Sequence, residues 1–217
     1  MMTETLLSPE LYQKNLDFWQ RAWDMVKTPY TQMPDLDYIP RIPAALSNKQ
    51  DSVLDLGCGS GWLSVFLARH GFKSYGVDVA EHAIELARSW ASSENLDIEF
   101  SVQDICELEF PADSFGAIVA NSIFEHLTYK LAEQCIASLK RVLKPGGVFI
   151  GCFDLVGTGP GEYFELDDQT HVYTDKGRQG MMLRCFSDEE LASLFADWQI
   201  KELSKTSSGS RFLIASI

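Results

Sequence analysis

The densest chemical signal in the chain is Val53-Leu54-Asp55-Leu56-Gly57-Cys58-Gly59-Ser60-Gly61-Trp62, an apolar strand that runs through a glycine-rich turn into a helix. Glycines at such a turn let backbone approach a ligand closely and take a positive φ where a side chain would clash. The spacing is Gly-x-Gly-x-Gly, and Trp62 stands where the third glycine of the dinucleotide fingerprint belongs. Asp55, two residues before the first glycine, would oppose a pyrophosphate arriving at the helix N-terminus, so the loop suits a cationic ligand better. Cys58 inside this loop reads as a small spacer, since nothing nearby activates it as a nucleophile.

The elements that must position this loop are legible from hydrophobic periodicity. Leu11, Tyr12, Asn15, Leu16, Trp19, Ala22, Trp23 and Val26 recur at spacings of three and four, which predicts a helix capped by Ser8 with Pro9 at its first position. Pro29, Pro34, Pro40 and Pro43 then exclude a regular helix or central strand over 28–43. From residue 51 short apolar runs alternate with helical stretches, the sign of βαβ units and a mostly parallel sheet. Five strands are expected at 52–56, 74–79, 98–103, 117–121 and 148–153, with helices near 60–70, 81–94 and 129–143, the last stopped by Lys144-Pro145-Gly146-Gly147. Ser187-Asp188-Glu189-Glu190 is a capping box opening a helix through Ala196. Runs at 199–205 and 211–217 flank Thr206-Ser207-Ser208-Gly209-Ser210, a hairpin turn that makes the last two strands antiparallel.

With these residues in place, the chain resembles the class I S-adenosylmethionine-dependent methyltransferases over roughly 50–153. The resemblance implies a Rossmann-like three-layer α/β sandwich with a seven-stranded, mostly parallel sheet in the order 3-2-1-4-5-7-6, strand 7 antiparallel. It implies S-adenosylmethionine as cofactor and S-adenosylhomocysteine as product, held by Asp55, Gly57, Cys58, Gly59 and Gly61. In Gly76-Val77-Asp78-Val79, Asp78 stands where the family binds both ribose hydroxyls and Val79 where it lies against adenine. A carboxylate can accept two hydrogen bonds from a vicinal diol, each worth roughly 1.5–3 kcal/mol. Val102-Gln103-Asp104-Ile105 resembles the adenine site, with Asp104 accepting from the exocyclic amine and Ile105 offering backbone. Asn121, ending the fourth strand, stands where backbone faces the methionine part, and His126 just beyond it is the general-base candidate for an acceptor protonated at neutral pH. No Asn/Asp-Pro-Pro-aromatic motif of the DNA-amino methyltransferases follows that strand.

The acceptor is encoded elsewhere. Ligands of open α/β sheets sit at the carboxyl ends of the strands. Two segments can close over that edge: the N-terminal helix and proline-rich cap of 1–50, and a lid at 154–186, long for a connection in a compact domain. Trp19, Trp23, Tyr163, His171, Tyr173 and Arg184 are the acceptor-site candidates. Trp19 and Trp23 share one helical stripe, whose ordinary role is core packing, and His171 has the bland reading of a surface residue. The whole is expected to be one domain, with a cofactor core at 51–153 and a closing helix and hairpin at 187–217.

Composition narrows the partners. Acids outnumber bases 31 to 18, and the net charge of −13 repels phosphate backbones and anionic lipid, so the expected acceptor is a small molecule and not nucleic acid or membrane. Five cysteines without paired spacing predict buried free thiols, a reducing cytoplasm and no metal site. Met1-Met2-Thr3-Glu4-Thr5 lacks an export signal's cationic start. Two rivals share much of this pattern. An NAD-dependent oxidoreductase would keep Asp78 but conflicts with the glycine spacing and Asp55; a non-catalytic S-adenosylmethionine-binding scaffold would keep the loop without a competent acceptor pocket.

Overall fold

A computed structural model describes residues 7–46, 52–155 and 161–217. The N-terminal five residues read above, the end of the proline-rich cap and the start of the lid lie outside these.

The principal sheet has seven strands: β1 Ser52–Leu56, β2 Lys73–Asp78, β3 Glu99–Val102, β4 Phe115–Asn121, β5 Leu143–Phe153, β9 Gln199–Lys205 and β10 Arg211–Ser216. Their order is β3-β2-β1-β4-β5-β10-β9, the expected one, because β9 and β10 are the sixth and seventh strands of this sheet. The first five pair in parallel, and β10 runs antiparallel to both β5 and β9, as a tight turn with Gly209 at φ 91° requires.

Helices cover both faces because the strand side chains alternate. Leu54, Leu56, Ile118, Phe149 and Leu213 pack with α5 (Tyr129–Val142) and α6 (Asp188–Leu194). Val53, Val119, Ile150 and Phe212 pack with α2 (Arg41–Ala45) and α3 (Trp62–Arg69). The remaining crossover helix, α4 (Glu81–Ser93), buries Ile84, Ala87 and Ala91 against Phe100 of β3. Ser187 and Glu190 form the expected capping box of α6.

Three expectations need correction. Residues 41–43 of the proline-rich stretch are helical, in α2, because Pro43 stands in its first turn, where a missing N–H costs no helical bond. Strand β5 begins at Leu143, not Val148, because Leu143 already pairs with Phe115 and a register shift between Phe115 and Ala117 absorbs Pro145-Gly146-Gly147. The lid is not irregular: β6 (Tyr163–Glu165), β7 (His171–Tyr173) and β8 (Met182–Leu183) form a separate antiparallel sheet over Leu166, Val172 and Met182.

The N-terminal helix, α1 (Pro9–Asp24), starts as anticipated, with Ser8 Oγ accepting from the Leu11 amide and Pro9 in the first turn. It lies over the carboxyl edge of the sheet and is tied there by polar side chains. Gln20 Nε2 donates to the Val79 carbonyl at 2.9 Å, and Arg21 Nη2 donates to the Gln179 carbonyl at 2.9 Å. Buried Asn15 bridges two segments, donating to the His126 carbonyl and accepting from the Met182 amide, each at 3.1 Å.

Candidate active site

The glycine turn is built as its sequence implies. Gly57, Gly59 and Gly61 have φ of 66°, 52° and 90°, a region that L side chains avoid. Space forbids a side chain as well: a Cβ on Gly59 would stand 2.7 Å from Trp23 Cζ2, and one on Gly57 would collide with Ile123. Gly61 does a different job, admitting Ala87 of α4 at the start of α3.

Asp78 is the pivot of the site. Its Oδ2 accepts from the Gly59 amide and its Oδ1 from the Ala80 amide, both at 2.9 Å, so the carboxylate is aimed by the loop and by the entrance to α4. Burial raises its pKa, against the lowering effect of these amides. Each oxygen keeps a second lone pair for a diol. Asp104 is held likewise: its Oδ1 accepts from the Cys106 amide at 2.8 Å, and the Tyr12 hydroxyl on α1 donates to both carboxylate oxygens at 2.7 and 2.8 Å.

These groups open on a cavity of about 300 Å³ at the carboxyl edge of the sheet. Of the expected cofactor residues, Gly57, Cys58, Gly59, Asp78, Val79, Asp104, Ile105 and Asn121 line it. Asp55 and Gly61 do not. Asp55 is buried one layer behind, where Ser64 Oγ donates to its Oδ2 at 2.6 Å, and burial pushes its pKa up to about 7 despite that bond. Cys58 is likewise pushed well above an ordinary thiol, first by burial and then by Asp55 and Asp78, which leaves it inert.

The roof of the cavity is α1. Tyr12, Asn15, Leu16, Trp19 and Trp23 all line it, so the stripe expected to favour core packing faces the cavity instead. Its polar members were the overlooked signal, since a Tyr and an Asn on an apolar helical stripe want partners when buried. Tyr30, Ser60, Trp62, Ser122, Ile123 and Leu127 complete the lining beyond the residues expected. Among these, the Tyr30 amide donates to Ser60 Oγ at 3.1 Å, tying the segment after α1 to the glycine turn.

His126 also reaches the cavity. Its Nδ1 lies 3.3 Å from the Met182 carbonyl, which assigns the proton to Nδ1 and leaves Nε2 as the basic atom. Burial lowers its pKa to about 4, so it is neutral at physiological pH. Trp19 stands edge-on to it, with ring centroids 4.4 Å apart.

The other acceptor-site candidates are gathered elsewhere. Tyr163 stacks on His171 at 4.2 Å between centroids, His171 pairs with Glu165, and Tyr173 is buried beneath Arg178, whose guanidinium sits 4.2 Å above its ring. Arg184 is buried, paired with Glu190 and Asp168, and lies over Phe186 at 5.0 Å. None of the four lines the cavity. Their mixture of aromatic and charged side chains instead assembles the small sheet of the lid and fastens it to α6.

The fit to a nucleoside cation rests on this donor set. A carboxylate with spare lone pairs sits beside a close-approach glycine turn, a second carboxylate flanks an apolar pair, and an aromatic roof covers both.

Comparison with known proteins agrees with that geometry. Residues 53–147 match the family profile described as a methyltransferase domain. The chain is 34% identical over 133 residues to a ubiquinone biosynthesis O-methyltransferase of Coxiella burnetii, a match covering 60% of this chain and 54% of that one. It is 33% identical over 99 residues to a 2-heptyl-1-hydroxyquinolin-4(1H)-one methyltransferase of Mycobacteroides abscessus, covering 45% and 44% respectively. It spans about half the length of these curated relatives. A solved structure from Pyrococcus horikoshii superposes with a TM-score of 0.72 at 26% identity, covering 90% of this chain and 98% of that one.

Proposed function

Because residues 53–147 match the methyltransferase-domain profile, we propose that the chain is a class I S-adenosylmethionine-dependent methyltransferase that transfers the methyl group of that cofactor to a nucleophilic O, N or S atom of a small molecule. The observation that carries this reading is the cavity itself, in which the glycine turn, Asp78 and Asp104 are brought to one wall beneath α1. Asp78 would hold the ribose diol, Val79 and Ile105 would flank adenine, and Asp104, aimed by Tyr12, would take the exocyclic amine. Gly57, Cys58, Gly59 and Asn121 would follow the methionine part, with Asp55 and Gly61 supporting the turn from behind.

When bound, the cofactor supplies a methyl group already activated by a sulfonium. The protein therefore has to align rather than activate, and orientation alone is worth roughly 7–11 kcal/mol. Trp19, neutral His126 and Ser122 border the part of the cavity left for an acceptor. An oxygen nucleophile is the first choice, since the Coxiella relative is named an O-methyltransferase. The acidic charge of −13 disfavours nucleic acid as the acceptor, and no helix among the described residues is long and apolar enough to cross a membrane. One domain acting in a reducing cytoplasm completes the proposal.

Calorimetry with S-adenosylmethionine, S-adenosylhomocysteine and NADH tests it. Saturable binding of the first two, weakened by roughly 1.5–3 kcal/mol in Asp78→Ala, is expected. Binding of NADH alone would return an oxidoreductase, and cofactor binding without turnover of any acceptor would leave a scaffold.

A further inference from the structure

Where β4 ends, the chain does something that its sequence gives no local reason for. Ser122 has φ 55°, a left-handed conformation that costs a serine energy and recurs at functional sites. This backbone puts a hydroxyl at the cavity wall and into a polar chain behind it. Asn121 Nδ2 donates to Ser122 Oγ at 3.0 Å, and the Tyr38 hydroxyl donates to Asn121 Oδ1. Ser122 Oγ in turn donates to Asp154 Oδ2 at 2.6 Å, a short bond of the kind a charged acceptor makes. Asp154 Oδ1 accepts from Ser210 Oγ at 2.9 Å, Ser210 lies 3.1 Å from Ser208 Oγ, and Ser208 is exposed on the hairpin turn. The cavity is thus joined to solvent by hydroxyls hinged on one carboxylate.

The surroundings suit a proton acceptor. No ion pair to Asp154 forms among the described residues, so its charge is not spent on a cation. Glu125, the neighbouring acid, is buried with its Oε2 unpartnered, and burial together with Asp154 pushes it up to about 8.

We propose that Ser122 is a catalytic residue for hydroxyl acceptors and that Asp154, acting through it, is the positioning residue that takes up the acceptor's proton. The inference rests on the methyl-transfer reading above and selects oxygen among its acceptor atoms. The acceptor oxygen forms its bond to the methyl carbon as the sulfur–methyl bond breaks, and that bonding pair stays on sulfur, neutralising the sulfonium to a thioether. The acceptor's O–H proton passes to Ser122 Oγ, whose own proton passes to Asp154 Oδ2, where it is held until Ser210 turns its hydroxyl from Asp154 toward Ser208 and the protonated carboxyl can donate outward. An acceptor ionised before binding, such as a thiolate, needs none of this.

The test uses the full chain loaded with S-adenosylhomocysteine and a matched pair of probes, 2-naphthol and 2-methoxynaphthalene, sized for an aromatic cavity. Calorimetry should show the naphthol binding about 10-fold tighter than its ether, an advantage of one hydrogen bond that disappears in Ser122→Ala and Asp154→Asn while S-adenosylhomocysteine affinity is unchanged. With S-adenosylmethionine, Asp154→Asn should lower turnover of 2-naphthol at least 10-fold and leave 2-naphthalenethiol, ionised at pH 8, within about 2-fold. Equal affinity for naphthol and ether in the wild type, no binding of either, or equal losses for alcohol and thiol would each overturn the relay. Failure of S-adenosylhomocysteine itself to bind would instead sink the methyltransferase reading.

Discussion

His126 and Asp78 show how far environment decides what a residue type can do. His126 is the kind of residue that sequence analysis offers as a base, and its pKa near 4 makes it a neutral one. A base that is already deprotonated contributes no inflection to the rate between pH 5 and 8; if it acts, His126→Ala should lower turnover by a constant factor across that range, read from kcat against pH. A loss confined to low pH would mean that the residue titrates where its burial says it should not. Asp78 illustrates the reverse case, in which sequence position alone placed it at the sheet edge, because the carboxylate closes its strand and its partners, Gly59 and Ala80, are drawn from the adjacent turn and the next residue but one. Tyr12 had no such local sign. It meets Asp104 across 92 residues of chain, and only the folded roof reveals the contact. Tyr12→Phe removes one hydroxyl from a partly buried carboxylate and should weaken S-adenosylhomocysteine binding by about 0.5–1.5 kcal/mol, a several-fold change in Kd by calorimetry.

At the scale of elements, the strands and crossover helices were legible because each is specified by its own periodicity and its own stop. The strand-turn-helix of 52–69 and the capping box of α6 needed no distant partner to be recognised. The lid was not legible, since β6, β7 and β8 are two or three residues long and owe their pairing to one another. Helix α1 was recognised as a helix able to close over the sheet edge, but core packing stayed the ordinary reading of its stripe, because amphipathic spacing says which face is covered and not what covers it. Asn15 is the residue on which its placement turns, as both ends of its amide are satisfied by other segments. Asn15→Leu would leave the Met182 amide and the His126 carbonyl without this partner in a buried setting, and should cost about 2–3 kcal/mol of stability in urea denaturation. Gly59→Ala would force a methyl into Trp23 of the same helix and should lower cofactor affinity at least 10-fold by tilting the roof.

At the scale of the whole molecule, buried acids among the described residues set how stability depends on pH. Asp55 and Glu125 have pKa values pushed up to about 7 and about 8, chiefly by burial. In the unfolded chain both are ionised above pH 5, so over pH 6.5–8 the folded state binds more protons and stability falls as pH rises. His126, with its lowered pKa, works in the opposite sense, but only between about 4 and 6.5, where the unfolded chain binds the extra proton. Thermal denaturation of the ligand-free protein should therefore show Tm dropping from pH 6.5 to 8. Glu125→Gln should flatten the drop by about 1–2 kcal/mol across that window. A Tm that rises over the same window would mean that the acids are already ionised in the folded state.

Helix α1 touches both halves of the cavity as one rod: Tyr12 and Gln20 hold Asp104 and Val79 on the proposed adenine side, while Asn15 and Trp19 meet His126 on the other. A nucleoside seated under the first pair fixes the height of the second, so the acceptor half is completed only after the nucleoside half is filled. Steady-state kinetics should accordingly be ordered, with S-adenosylmethionine first on and S-adenosylhomocysteine last off. Product inhibition by the latter would be competitive against the methyl donor alone, and its slow departure would set the pace of turnover.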